Sequence, residues 1–478
     1  MRAMLRWWLV IPVVLTLGAC SGRGVPERPN IVFIMADDLG YGHLGAYGQT
    51  RIRTPHLDRM ATEGVRFSDF YAGSTVCAPS RSVLMTGRHT GHTSVRGNTG
   101  GIPLRSEDVT VAEVLRDAGY VTGIFGKWGL GDSGTTGVPR EQGFDEFFGY
   151  LHQVHAHFYY TPFLWANGQR EALPGNAEDG RGTYSHDVIT DRALDFVRRH
   201  AEEPFFLYLA YTVPHTELLV PDDAMAEYAD VFPEPAPYPG DGHYAAQERP
   251  RTAFAAMVTR MDRDVGRLLA VLAELGLDEK TIVFFTSDNG GQRGWGADLA
   301  FFEGNGPLRG SKMQLYEGGI RVPLIVRWPG VVEGGRTSDH VWAFWDVLPT
   351  LAELAGGSVP DSIDGRSMLP AIVGEDVVGL PAPQHEMLYW EYGNVRGQAP
   401  IRQAARWGRW KAIRSDLEAP LELYDLSVDI GETGDVAASH PDVVDRMRVY
   451  LDTARIPTRE YPPAVSSYTY VGQERPGW

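Results

Sequence analysis

Cys77-Ala78-Pro79-Ser80-Arg81 combines residue types whose spacing suggests chemistry. Pro79 suits the first turn of a helix, the run SRSVLMTG continues it and Gly87 can end it, so Cys77 is expected at a helix N-terminus. Free backbone N–H groups and the helix dipole favour an anion there, and Arg81, one turn on, carries a planar fork suited to oxyanion oxygens. The plainer alternative is a small apolar cysteine in a core helix. Further polar groups stand where apolar runs stop: Asp37 and Asp38 after NIVFIMA, Lys127 after GIFG, His215 after LAYTVP, Asp288 and Asn289 after IVFFTS.

Those runs read as buried strands, and helical periodicity lies between them. HLDRMATEG, SEDVTVAEVLRDAGY (with Ser106 as its expected cap and Gly119 as its stop), YSHDVITDRALDFVRRHAEE and AFAAMVTRMDRDVGRLLAVLAELGL alternate with the strands. This order implies an α/β class, a large, mostly parallel sheet sandwiched by helices, with ligands gathering beyond the carboxyl ends of the strands. From about residue 385 the pattern changes to short strands, EMLYWEYG, AARWGRWKAIRS and LELYDLS, followed by a helix near PDVVDRMRVYLDTAR. A smaller α+β domain with an antiparallel sheet is expected over 385–478, after a catalytic domain over 30–375. PEPAPYPGDG reads as a surface loop.

The N-terminus begins MRAMLRWWLVIPVVLTLGAC, with Arg2 and Arg6 ahead of an apolar run from Trp7 to Leu17 that is too short to span a bilayer. It reads as an export signal over 1–19. Leu17-Gly18-Ala19-Cys20 resembles the bacterial lipobox, so Cys20 is expected to become an acylated first residue, followed by a tether over 20–29. Membrane contact by that lipid anchor alone, on the periplasmic side of the outer membrane or at the cell surface, follows. With two cysteines in the chain and one acylated, no internal disulfide can form, and Cys77 is left without a structural bond. The net charge of −17 argues against nucleic acid as a partner, so an anionic substrate must meet concentrated local positive charge. Only four of the 44 basic residues are lysines, Lys127, Lys280, Lys312 and Lys411. Lys127 and Lys312 mark places where a compact ammonium is wanted, while Lys280 and Lys411 are given no role.

CAPSRSVLMTGR resembles the signature of the formylglycine-dependent sulfatases of the alkaline phosphatase superfamily, and further matches run in the family's order. They include NIVFIMADDLGYGHLGAYG, GKWGLG, TVPH, FFTSDNGG, PLRGSKMQLYEGGIRVPLIVRWPG and LYDLSVDIGE. The resemblance implies an alkaline-phosphatase-like fold and hydrolysis of sulfate monoesters on a sulfated small molecule or glycan. It also implies that Cys77 is oxidised to an aldehyde, formylglycine, by a generating enzyme that is a transient partner. Hydrated, that aldehyde is a geminal diol. One hydroxyl attacks sulfur, and the other, on losing its proton, expels sulfate by rebuilding the carbonyl. Asp37, Asp38, Asp288 and Asn289 offer hard oxygen donors, which suit Ca²⁺ or Mg²⁺ and not Zn²⁺, with residue 77 beside them; the family resemblance favours Ca²⁺. Carried over by position, Arg81 and Lys127 hold diol and sulfate oxygens, Lys312 binds sulfate beside the leaving oxygen, and His215 gives a proton to the departing alcohol.

The chain departs from this pattern at Gly129. Many relatives read Gly-Lys-Trp-His there, and that histidine is assigned as the base that collapses the sulfated intermediate. Glycine cannot take a proton, so another group or water must act, or turnover is impaired. LHQVHAHFYY offers His152, His155 and His157, of which His155 and His157 are the candidates, against a substrate-binding or structural role. Trp295, Phe301 and Phe302 in RGWGADLAFFEGNG are placed to stack on a sugar or aryl group or to cover the core. Two other functions share the same residues: a phosphonate monoester or phosphodiester hydrolase using the same aldehyde, and a glycan-binding lipoprotein without catalysis, for which Gly129 is the sole support.

Overall fold

The computed structural model describes residues 25–98, 102–178, 180–393 and 400–457. The expected leader, Cys20 and the last residues of the expected C-terminal domain lie outside the described residues. A ten-stranded sheet forms the body. Its spatial order is Arg336–Ser338, Val65–Phe67, Leu324–Arg327, Thr281–Ser287, Asn30–Ala36, Phe205–Ala210, Val121–Lys127, Glu146–Tyr150, Phe163–Ala166, Gln169–Ala172. The five strands from Thr281–Ser287 to Glu146–Tyr150 are mutually parallel, and the strands flanking them on either side pair antiparallel. Parallel strands send their carboxyl ends to one rim, so the residues that follow them are brought together.

The central strand Asn30–Ala36 is buried along its whole length. Ile31, Phe33 and Met35 join one apolar core, and Val32, Ile34 and Ala36 join the other. That alternation is the mark of a sheet covered on both faces. Helices Cys77–Thr86, Val111–Asp117 and Val347–Ala355 contribute to the first core, and Pro55–Thr62, Ser185–Arg199 and Pro250–Glu274 to the second. One expected cap is corrected. The helix Val111–Asp117 starts at Thr110, whose hydroxyl accepts from Glu113 N while the Glu113 carboxylate accepts from Thr110 N. Ser106 precedes this reciprocal box and is not the cap.

Leu388–Tyr392, Arg402–Trp407, Trp410–Arg414 and Glu422–Asp425 form a four-stranded antiparallel sheet in chain order; an antiparallel sheet is as expected, but AARWGRWKAIRS, read as one strand, folds into two. One face packs with the helix Pro441–Thr453 through Tyr389, Ala405, Leu423, Met447 and Leu451. The other face, with Leu388, Trp390, Ala404 and Ile413, joins the main core. Lys411, given no role from sequence, is buried across this seam, its Nζ 2.7 Å from Glu317 Oε1 and 3.5 Å from Glu432 Oε1. Removing one partner of such a buried group would leave an uncompensated charge. Among the described residues no helix is long and apolar enough to cross a membrane.

Candidate active site

The helix Cys77–Thr86 begins where the sequence places it, and every residue in it is buried. Gly87 closes it with φ +66°, a left-handed conformation that favours glycine. Its first turn points at the sheet rim. Cys77 Sγ lies 3.5 Å from Asp37 Oδ1, directly beyond the central strand. Asp38, at φ +63°, turns the chain so that its N–H donates to Asp288 Oδ1 at 3.1 Å. Arg81 directs Nε (3.1 Å) and Nη2 (2.9 Å) to Asp288 Oδ2 and Nη1 (2.6 Å) to the Lys127 carbonyl. These contacts use three of the five N–H donors a guanidinium carries, and the Tyr208 side chain is a further partner. Lys127 Nζ is 2.6 Å from Asp37 Oδ2, and Lys312 Nζ is 2.7 Å from Asp38 Oδ2. His215 Nδ1 is held by the Thr216 carbonyl, which leaves Nε2 facing Asp38 Oδ2 at 3.4 Å. The structure therefore assembles Asp37, Asp38, Cys77, Arg81, Lys127, His215, Asp288, Asn289 and Lys312 in one place.

Their electrostatics follow from burial in close quarters. Burial alone would raise the Asp37 carboxyl, but Lys127 first, then His215, Arg81 and Lys312, hold it well below the usual range. Burial and the neighbouring Asp37 push Asp288 up to about 7, and the same two causes push the Cys77 thiol up to about 12. An unmodified Cys77 is thus a neutral thiol, not a thiolate. Burial and then Lys312 lower His215 to about 4.

This donor set fits a hard divalent cation. Asn289 Nδ2 donates to Asp38 Oδ1 and the Gly290 carbonyl, while its Oδ1 is buried without a hydrogen-bond partner. A buried acceptor left unmet costs about 1–3 kcal/mol, and a cation held with the three carboxylates would satisfy it. Asp37, Asp38, Cys77 and His215 each offer a ligand atom within 4.8 Å of the others. A second cluster, His89, His92 and Asp364, closes on itself: His92 Nδ1 meets Asp364 Oδ1 at 2.9 Å, and His89 Nδ1 accepts from Gly91 N.

The two candidate histidines of LHQVHAHFYY part company. His157 stacks on His215, with ring centroids 4.5 Å apart and an 18° interplanar angle, and its Nδ1 is 2.8 Å from His243 Nε2. His155 is not brought to the site. Its Nε2 bonds Thr161 Oγ1 at 2.7 Å, and its ring packs on Tyr150 and Phe163. The space at Gly129 is filled by Gln153: a Cβ at position 129 would stand 2.1 Å from Gln153 Nε2. Sequence reasoning missed Gln153 and His243. No motif marks the first, and the second follows the Pro-rich stretch read as a surface loop. Trp295 is 43% exposed and edge-on to Tyr244 at 5.9 Å, whereas Phe302 is buried in the core.

The chain is similar to known proteins over most of its length. A family model described as Sulfatase matches residues 29–358, and one described as N-sulphoglucosamine sulphohydrolase, C-terminal, matches residues 311–455. The chain is 35% identical to arylsulfatase A of Homo sapiens, covering 91% of this chain and 90% of that protein. It is 33% identical to N-acetylgalactosamine-6-sulfatase of Canis lupus familiaris, covering 78% of this chain and 71% of that one. Among solved structures, Ps i-CgsB in complex with k-i-k-neocarrahexaose superposes with a TM-score of 0.77 at 29% identity, covering 91% of this chain and 95% of that one.

Proposed function

The chain belongs to the sulfatase family, enzymes that hydrolyse sulfate esters of carbohydrates or aryl groups, and on that premise we propose how this site does so. Cys77 is converted to formylglycine by a generating enzyme, and one Ca²⁺, with Mg²⁺ less favoured, is held by Asp37, Asp38, Asp288, Asn289 and the residue 77 side chain. The observation that carries this reading is the approach of Cys77 Sγ to Asp37, with Lys127 on Asp37, Lys312 on Asp38 and Arg81 on Asp288. The aldehyde supplies a hydroxyl nucleophile and a way to release sulfate without attack of water on sulfur. The cation supplies charge to draw in and polarise ester oxygens.

The chain's own residues do the rest. Lys127 and Lys312 neutralise sulfate oxygens, whose negative charge otherwise repels a nucleophile. Arg81 fixes Asp288 and offers a remaining donor to the anion. His215, anchored through Nδ1, presents Nε2 to the leaving oxygen and delivers the proton. The substrate's anionic oxygens beside Nε2 favour the protonated ring this role needs. His157, stacked on His215 and bonded to His243, is the acceptor in place of the side chain that Gly129 lacks, whereas the contacts of His155 support a structural role.

Sulfated carbohydrate is the favoured substrate class, supported by the similarity to an N-acetylgalactosamine-6-sulfatase and to a structure holding a neocarrahexaose. Acylated Cys20 would hold the enzyme at the periplasmic side of the outer membrane or the cell surface; mass spectrometry of the N-terminal peptide from the membrane fraction tests this. The test of mechanism is the mass of the Cys77 peptide from protein made alongside a generating enzyme, paired with rates on matched aryl sulfate, phosphonate monoester and phosphodiester substrates. An aldehyde mass and a preference for the sulfate are expected. Full activity with an unmodified thiol, or a preference for the phosphorus esters, overturns the reading.

A further inference from the structure

The C-terminal sheet reaches the chain beside Lys312. Tyr392 and Arg402 face each other across its first strand pair. The Arg402 guanidinium lies over the Tyr392 ring, 5.1 Å from its centroid, and Nη1 donates to the Met313 carbonyl at 3.2 Å. Met313 directly follows Lys312, is 47% exposed, and is held by its N–H on the Thr75 carbonyl, two residues before Cys77. Tyr392 is also within electrostatic reach of Lys312 and Cys77.

Its lack of a carboxylate partner among the described residues sets Arg402 apart from its neighbours on the same sheet. Arg406 is paired with Asp69, and Arg414 with Asp452. Arg402 has no carboxylate partner among the described residues; its contacts are one carbonyl and one ring. A guanidinium offers five N–H donors, and with Nη1 giving one to Met313 most of the fork is free. The ring and the Met313 carbonyl together hold the guanidinium in place, so less order is lost when it takes an oxyanion. In a chain of net charge −17, an unneutralised, oriented arginine beside a sulfate pocket is suited to an anion.

We propose that Arg402, set against the Tyr392 ring and tied to the Met313 carbonyl next to Lys312, is a second anion-binding subsite. It takes a sulfate or carboxylate on the sugar unit adjoining the one whose sulfate is removed. The natural substrate is therefore a polyanionic glycan, not an isolated monosulfated sugar. This inference rests on the sulfatase reading.

The test uses the full-length matured enzyme with Ca²⁺ and measures released sulfate from three disaccharides that share one scissile sulfate. In the first the adjoining unit is neutral, in the second it carries a sulfate, and in the third a uronic carboxylate. At least one charged disaccharide is expected to show a higher kcat/KM than the neutral one through a lower KM, and the two charged arms tell which anion is recognised. Arg402→Gln is expected to cut that preference by about 10- to 100-fold, the range of a charged hydrogen-bonded contact. Arg402→Lys, keeping charge without the fork, is expected to recover part of it, and added salt to erode it. Equal kcat/KM on all three disaccharides, or a preference that survives Arg402→Gln, overturns the subsite. If the wild-type enzyme releases no sulfate from any arm, the sulfatase reading itself fails.

Discussion

Restoring a histidine at position 129 tests the packing of the site more sharply than deleting a catalytic group. Gly129 sits at φ +80°, where a side chain costs about 1–2 kcal/mol from the backbone alone. A Cβ there would stand 2.1 Å from Gln153 Nε2 and 2.8 Å from its Cδ, so the amide must leave. Gln153 is 4% exposed, and forcing a side chain out of a filled interior costs about 1–3 kcal/mol. Gly129→His is therefore expected to destabilise the enzyme by about 2–5 kcal/mol. Gln153→Gly opens the space and removes the second of these costs but not the first. The two substitutions together should then be milder than their sum, with a coupling above about 1 kcal/mol. Urea unfolding of wild type, both single variants and the double variant, at one fixed Ca²⁺ concentration, measures the cycle. Additivity within about 0.5 kcal/mol would show that Gln153 does not occupy the space beside Gly129.

His157→Ala is expected to lower kcat by about 100-fold with little loss of stability. His155→Ala should instead lower stability by about 1–3 kcal/mol and leave kcat nearly intact, since its ring and its bond to Thr161 lie in packing away from the site; the two measurements reversed would exchange the roles. Chelation of Ca²⁺ should lower both activity and the thermal midpoint, because Asp37, Asp38 and Asp288 are then left crowded. Ca²⁺ should restore both better than Mg²⁺, and full activity in metal-free enzyme would refute the site. Away from the site, Asp264 lies 3.0 Å from His186 Nε2 and 3.1 Å from Arg267 Nη1. Burial would raise its carboxyl, but these partners outweigh it and hold it at about 2. Its folded-state value lies below the unfolded 3.8, so it adds stability above pH 3.8 that is lost as pH falls through about 2. Asp264→Asn should thus destabilise by about 2–3 kcal/mol at neutral pH, with the gap closing in acid; a pH-independent gap in urea unfolding would reject the assignment.

Much of this site is legible in the chain because its residues follow strands. A run such as NIVFIMA reads as a strand buried on both faces, and parallel neighbours of that kind deliver Asp37, Lys127, His215 and Asp288 to a common rim by topology alone. The helix start at Cys77 is equally legible, since proline near the first turn and glycine after the last are local signals. Ser106 misled because capping depends on which hydroxyl meets Glu113, a choice made by the local backbone within a few residues.

What the residues by themselves determined is thus the α/β order, the small antiparallel sheet and the set of groups that can hold a cation and an anion, all properties of periodicity and residue type. Only the tertiary structure decided which of the neighbouring histidines reaches His215, and that Gln153 takes the place left by Gly129. It likewise decided that Lys411 bridges Glu317 and Glu432, and that Arg402 meets the Met313 carbonyl. Each of these depends on loops or strands distant in sequence meeting at one point, where steric exclusion and the cost of an unpaired buried charge, not local propensity, select the arrangement.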